Sequence, residues 1–359
     1  MIKEIILKNF KCFPQATLTL SELTILTGAN AVGKSSIVQA ILLAFSTIRG
    51  KNGVIDSSKA LGITIGNPQA LVSQNKTELE GADFALEVKE DKSTVTINYL
   101  IDKLSPLKLA CMFPDVPMNS QVFYLNAERC GPRISYPAGF DEEILSNGAN
   151  AAYLIDRADM QGRRIPQELA MNGQISKFSI HVEEWLNVIL GDVNFSVSTD
   201  LVKSSTDIKY KNALVDEGVV PTMTGFGISY ILSIVTAALW CSSVENAVLI
   251  VENPEAHLHP LAQSRMGKFL GLVSSFGVQI IIETHSEHII DGARVQMALL
   301  EITDKMNINF FTSENGRVNI SKIDVDKNGE LSDWPDGFFD QKSLDLRELF
   351  NIRRKNADK

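Results

Sequence analysis

Cysteine is scarce in this chain of 359 residues: Cys12, Cys111, Cys130 and Cys241 are scattered, and no two form a CxxC pair. That spacing indicates neither a zinc site nor a disulfide framework, and the four read as reduced cytosolic thiols. Basic charge is not in excess either. A formal net charge of −9 excludes a wholly basic nucleic-acid coat and leaves only a local patch. Long uncharged runs are missing except at residues 218–244, where Pro221, Gly225 and Gly227 intervene. The apolar heart of that run, 228–241, is short for a bilayer span, so it predicts a buried helix and no membrane association. The opening MIKEIILKNFK carries a charge every few residues and does not read as a secretory signal. No heptad pattern lasts three repeats, which excludes a long coiled-coil arm, and neither an internal repeat nor a low-complexity segment is present. What remains, at 45% hydrophobic residues, is a cytoplasmic α/β protein able to bury one large core or two smaller ones.

The most informative segment is 28–36, Gly-Ala-Asn-Ala-Val-Gly-Lys-Ser-Ser, set between an apolar run (Leu23, Ile25, Leu26) and a helix-like run at 37–45. Gly28 and Gly33 permit backbone angles that a β-carbon would forbid, so successive N–H groups can turn inward around phosphate oxygens at a helix N-terminus. Lys34 supplies a point charge for the outer phosphates and Ser35 a hydroxyl for Mg²⁺, with Asn30 and Ser36 completing the candidate set. Strand before and helix after separate this loop from a chance Gly-containing turn. It predicts a nucleoside triphosphate site.

Strands are expected at 2–8, 17–27, 84–88 and 94–101, forming one sheet around the phosphate loop. Between about 131 and 215, Ala-rich and amphipathic stretches, including 180–190, predict short helices. Residues 247–251 are continuously apolar, as in a strand buried on both faces, and deliver Glu252-Asn253-Pro254-Glu255-Ala256-His257-Leu258-His259-Pro260 at its C-terminal end. A second such run, 278–282, ends in Glu283-Thr284-His285-Ser286, and 224–229 is a Gly-rich turn opening the buried helix. Three lobes follow: 1–125, 126–215 and 216–359.

Several patterns have plainer readings. His257, His259, His285 and His288 resemble metal ligands, but the D-loop and switch-histidine roles implied by the family resemblance given below explain them without metal. Asp324, Asp326, Asn328 and Gly329 imitate the start of a calcium loop, yet Pro335 stands where a bidentate Glu is needed, and a hairpin turn at 327–329 is expected. Arg129, Arg133, Arg157, Arg163 and Arg164 are either a solvated face or contacts to DNA. Phe10, Lys11 and Phe13 either flank an adenine or belong to the core.

The order of these motifs resembles the ABC-type ATPases of the SMC, RecF and OLD group over nearly the whole chain. The ending LSDWPDGFFDQ (331–341), with YLNAER (124–129) and ENPE (252–255), resembles a bacterial subfamily of small ATPases with a C-terminal domain of unknown function. The resemblance implies an α/β P-loop ATPase head, a mixed sheet with flanking helices, carrying a short mostly helical insertion. It implies that 28–35 is the Walker A loop, Glu252 the Walker B acid, 256–259 the D-loop and His285 the switch histidine. Thr224, Gly225, Gly227 and Ser229 would form a degenerate signature contacting nucleotide, and Gln74 a glutamine-loop metal ligand beside Ser35 and Glu252. ATP and Mg²⁺ are implied, as is a homodimer or higher oligomer sandwiching two nucleotides. An effector protein encoded nearby, a role in anti-phage defence and possible DNA contact belong to the same implication. Alternatives are a non-hydrolysing nucleotide-gated scaffold and a RecF-like repair ATPase.

One departure matters. The group's Walker B motif presents Asp then a catalytic Glu, whereas this chain has Glu252 then Asn253. Asn253 can orient a water but cannot accept its proton at neutral pH. Either Glu255 serves as base or hydrolysis is slow, and slow hydrolysis is expected.

Overall fold

The computed structural model describes every residue except 52, 62–66, 102–107, 140–142, 172, 174, 175, 213, 214, 334, 336, 358 and 359. Trp334 and Asp336 of the terminal motif therefore lie outside the described residues. The chain opens with an antiparallel hairpin, β1 (Ile2–Phe10) and β2 (Phe13–Thr19), followed by β3 (Leu23–Gly28) and helix α1 (Lys34–Gly50). Next come β4 (Val54–Asp56), α2 (Ser57–Leu61), β5 (Phe84–Glu90), β6 (Thr94–Ile101), β7 (Lys108–Met112) and β8 (Gln121–Leu125). The short β9 (Tyr136–Pro137) and helices α3 (Ala151–Gln161) and α4 (Phe178–Leu190) precede β10 (Asn194–Asp200), β11 (Ser205–Asn212) and β12 (Val215–Val219). The remainder alternates: α5 (Phe226–Cys241), β13 (Ala247–Glu252), α6 (Pro260–Ser274), β14 (Gln279–Glu283) and α7 (Glu287–Leu299). It closes with the hairpin β15 (Met306–Glu314) and β16 (Arg317–Ile323), then α8 (Gln341–Ala357).

Among the described residues the strands form three sheets, where the sequence predicted one around the phosphate loop. β3 belongs to a central sheet ordered β16-β15-β3-β14-β13-β8, while β1, β2, β5 and β6 lie in a separate antiparallel sheet ordered β2-β1-β5-β6-β7-β4. The run at 17–27 is accordingly broken between the two: β2 ends at Thr19 and β3 begins at Leu23. In the central sheet β8, β13, β14, β3 and β15 are mutually parallel, and β16 runs antiparallel at the edge.

The continuous apolar runs now have a cause. Val248, Ile250 and Ile281 face α1 and the antiparallel sheet, while Leu249, Val251, Ile280 and Ile282 face the opposite core with α5 and α6. A strand covered on both sides has no polar face, so its sequence cannot alternate. The uncharged run likewise becomes α5, whose residues from Ile231 to Cys241 are all buried, and which packs against α3, α4 and β13. Alongside α3 and α4, the middle of the chain also holds the meander β10-β11-β12, with β9 paired to β11, which the sequence reading did not expect.

Candidate functional site

Parallel pairing delivers three strand ends to one edge of the central sheet. Glu252 is in register with Glu283, and Glu283 with Leu26, two residues before Gly28. The phosphate loop, Glu252 and Glu283 thus converge because their strands share direction and register. Gly28 (φ +136) lies so close to β15 that a β-carbon would stand 2.2 Å from the Phe311 carbonyl oxygen. Gly33 (φ +95) caps α1 and would press a β-carbon onto Cys12 and Phe13 at 2.7 Å. Both positions are closed to larger residues.

The loop between these glycines is an open donor set. The N–H groups of Asn30, Ala31 and Gly33 donate to no other group among the described residues, as an anion nest requires. Lys34, only 3% exposed, turns its ammonium back onto the carbonyl oxygens of Gly28 (3.0 Å) and Ala29 (2.5 Å). Burial lowers its pKa, against the pull of Glu283. The loop lines a cleft of about 1200 Å³ together with Gln74, Asn253, Glu283 and His285.

Glu283 and Asn253 line the far wall, with Glu252 and Glu255 behind them, and the four are in different states. Glu252 accepts the Ala127 N–H (3.1 Å) and the Tyr124 hydroxyl, and burial raises its pKa. Glu283 accepts the Ser35 hydroxyl at 2.9 Å through Oε1, while its Oε2 is buried with no partner among the described residues. Desolvation, then the neighbouring Glu252 charge, push its pKa up to about 7. Asn253 sits in the left-handed region (φ 44), which Asn tolerates better than most residues, and its Oδ1 is also buried and without a partner among the described residues. Glu255 is fully engaged elsewhere: Oε2 accepts the Thr284 hydroxyl and Oε1 the His285 N–H, each at 2.7 Å. It does not line the cleft.

Arg129 does not face solvent as a DNA contact would. It is 3% exposed and donates to the carbonyl oxygens of Asn126 (3.1 Å), Glu252 (2.6 Å) and Asn253, holding the turn after β13. Arg163 lies over the Trp240 ring and donates to Ser243. Phe10 and Phe13 are core residues, leaving Lys11 in the cleft. His257 packs against Phe226 and Tyr230, and the His259 ring caps α6. Asp326 organises a turn by accepting the N–H groups of Asn328 and Glu330.

Of the residues singled out by sequence, the cleft gathers Asn30, Gly33, Lys34, Ser35, Ser36, Gln74, Asn253 and His285. Thr224, Gly225, Gly227 and Ser229 lie apart from it at the start of α5. Ser229 points inward, 6% exposed, beside Tyr136 and Gly148, so it is not placed to meet a ligand outside the molecule. Sequence reasoning passed over Glu283. Its signal was available: an acid ending an apolar strand immediately before the Thr-His pair, the same arrangement that marked Glu252. The residues fit a nucleotide with Mg²⁺: free loop N–H groups for phosphate, a lysine, a serine hydroxyl and an orphaned carboxylate oxygen.

The terminal motif reaches the same edge. Phe338 is buried edge-on against Phe310 at 5.2 Å, and Phe339 and Gly337 line a smaller cleft with Gly28, Ala29 and His285. Among the described residues no helix is long and apolar enough to cross a membrane.

Comparisons with known proteins agree with this geometry. Residues 1–150 and 167–290 match the model of the AAA ATPase domain, and 303–349 match a protein of unknown function (DUF3696). No functionally curated sequence matched. Among solved structures, an SMC head bound to the C-terminal winged-helix domain of ScpA superposes with a TM-score of 0.55 at 13% identity, covering 91% of this chain and 98% of that one. An SMC head with an extended coiled coil, bound to the C-terminal domain of ScpA derived from Pyrococcus furiosus, gives 0.55 at 13% identity, covering 98% and 99%. With its motif order, its central parallel sheet and a family match over most of its length, the chain belongs to the AAA ATPase domain family and is folded as an SMC-type ATPase head.

Proposed function

We propose that this ATPase binds ATP with Mg²⁺, closes as a homodimer around two nucleotides, hydrolyses them slowly, and by closing and opening controls a separate effector protein in bacterial anti-phage defence. The observation that carries the slow step is Asn253. It lines the cleft directly after Glu252 in sequence, and the alternative base that the sequence offers, Glu255, has both oxygens committed to the turn at 284–285. Lys34 leaves the Gly28 and Ala29 carbonyls for the outer phosphates, and the N–H groups of Asn30, Ala31 and Gly33 hold phosphate oxygens. Ser35 and the acids at the strand ends would hold Mg²⁺, which would supply charge neutralisation at the phosphates. Asn253 and His285 orient the attacking water. Without a base, acceleration comes from positioning and electrostatics. Thr224, Gly225 and Gly227, remote from the cleft of their own chain, supply phosphate contacts to the partner's nucleotide. The defence setting and the effector rest on the resemblance of the terminal motif, and exposed Arg133 and Arg164 are the residues through which DNA would be met.

The same engagement of Glu255 favours, as second reading, a scaffold that binds ATP and dimerises without turnover. Sedimentation velocity with and without ATP, beside steady-state phosphate release, tests both. ATP-dependent dimers with slow release support the first reading, dimers without release the second. Monomers under all conditions refute both.

A further inference from the structure

The carboxylate of Glu283 has a geometry that no contact among the described residues completes. One oxygen accepts the Ser35 hydroxyl at 2.9 Å; the other is buried and has no partner, in a side chain 6% exposed at the wall of the cleft. Orphaned charged oxygens in the interior are costly unless something else occupies them. The surroundings add negative charge, because Glu252 is its register neighbour on β13, and Lys34 is the cation closest in influence. Ser35 is the loop residue whose hydroxyl meets Mg²⁺ in sites of this kind.

The separation of the Ser35 and Glu283 oxygens suits their hydrogen bond and a shared ion alike. Mg²⁺ takes near-octahedral oxygen ligands at about 2.0–2.1 Å, so two adjacent ligands of one ion stand about 2.9 Å apart. The Ser35 and Glu283 oxygens already have that separation. Glu252 is less free: its carboxylate accepts the Ala127 N–H and the Tyr124 hydroxyl, and it does not line the cleft.

We propose that Glu283 is a direct ligand of the divalent cation that accompanies the nucleotide, adjacent to Ser35 in the coordination shell, with Glu252 acting from outside that shell. The assignment rests on the nucleotide-binding reading above, and it makes the strand before the switch histidine part of the metal site.

Calorimetric titration of ATP with Mg²⁺ and with EDTA, on wild type, Glu283→Gln and Glu252→Gln, tests it without reference to turnover. Wild type is expected to bind ATP more tightly with Mg²⁺. Glu283→Gln is expected to bind metal-free ATP at least as tightly as wild type, because a carboxylate facing the phosphates is removed, which also reports a folded protein, and to lose at least about tenfold of the Mg²⁺ gain. Glu252→Gln is expected to lose less of it. A Glu283→Gln variant with the full Mg²⁺ gain, or a larger loss in Glu252→Gln, overturns the assignment. Should Glu283→Gln not fold, Mn²⁺ affinity of the ATP complex of Glu283→Asp, read by electron paramagnetic resonance, decides: weakened binding supports the assignment and wild-type binding overturns it. A wild type that binds no ATP under either condition overturns the nucleotide reading itself and this assignment with it.

Discussion

The Glu255 carboxylate accepts the backbone N–H of His285 at 2.7 Å, tying the turn after β13 to the turn after β14. Its other oxygen takes the Thr284 hydroxyl, so both oxygens of the acid that sequence offered as a substitute base hold the turn at 284–285. Glu255→Gln should therefore weaken folding of the nucleotide-free protein by about 1.5–3 kcal/mol, the usual contribution of hydrogen bonds to a charged group. Urea unfolding without ATP measures this. Wild-type stability combined with abolished turnover would return Glu255 to the role of base.

Lys34 is expected to be indispensable for binding. Its ammonium is already at the loop, held by Gly28 and Ala29 carbonyls. Each hydrogen bond to a charged group contributes about 1.5–3 kcal/mol, and about 1.4 kcal/mol is tenfold, so losing two phosphate contacts in Lys34→Ala should weaken ATP binding by about 10² or more. Calorimetry checks it, and unchanged affinity would sink the phosphate assignment.

How far the site could be read from sequence depended on whether its parts are contiguous. The phosphate loop is nine adjacent residues with its strand and helix attached, and it appears in the structure as a nest at the start of α1. α5 and β13 were equally legible because burial leaves α5 an uncharged run and β13 a continuously apolar one. Sheet membership was not legible. Which strands pair is a non-local property, so nothing in 17–27 revealed that β2 and β3 enter different sheets. The burial of Arg129 was hidden for the same reason, since its acceptors at Glu252 and Asn253 are more than a hundred residues away. Glu283 was visible as a letter but acquired meaning only when parallel pairing set it beside Ser35.

The trans role of the α5 start is best tested at Gly225 rather than Gly227. A β-carbon on Gly227 would stand 3.0 Å from the His257 carbonyl oxygen, so a substitution there perturbs the fold locally. Gly225 has an ordinary φ of −68 and open space around it. Asp is also a favoured residue at a helix N-cap, which keeps the monomer intact. Gly225→Asp should preserve or raise thermal stability and ATP binding by the monomer while preventing ATP-dependent dimerisation, because its carboxylate would face the partner's phosphates. Sedimentation showing dimers at the wild-type ATP concentration would refute the trans assignment.

The central claim, that turnover is limited by a missing base at Asn253, is tested most directly by steady-state phosphate release from wild type, Asn253→Asp and Asn253→Glu under saturating ATP. Asp keeps the shape of Asn and its tolerance of the left-handed backbone seen here at φ 44. Glu extends the carboxylate by one methylene. The account predicts a slow wild type and, in at least one of the two variants, a rate raised by up to about 10², the lower end of what a positioned general base contributes. A fast wild type whose rate neither substitution increases would contradict it.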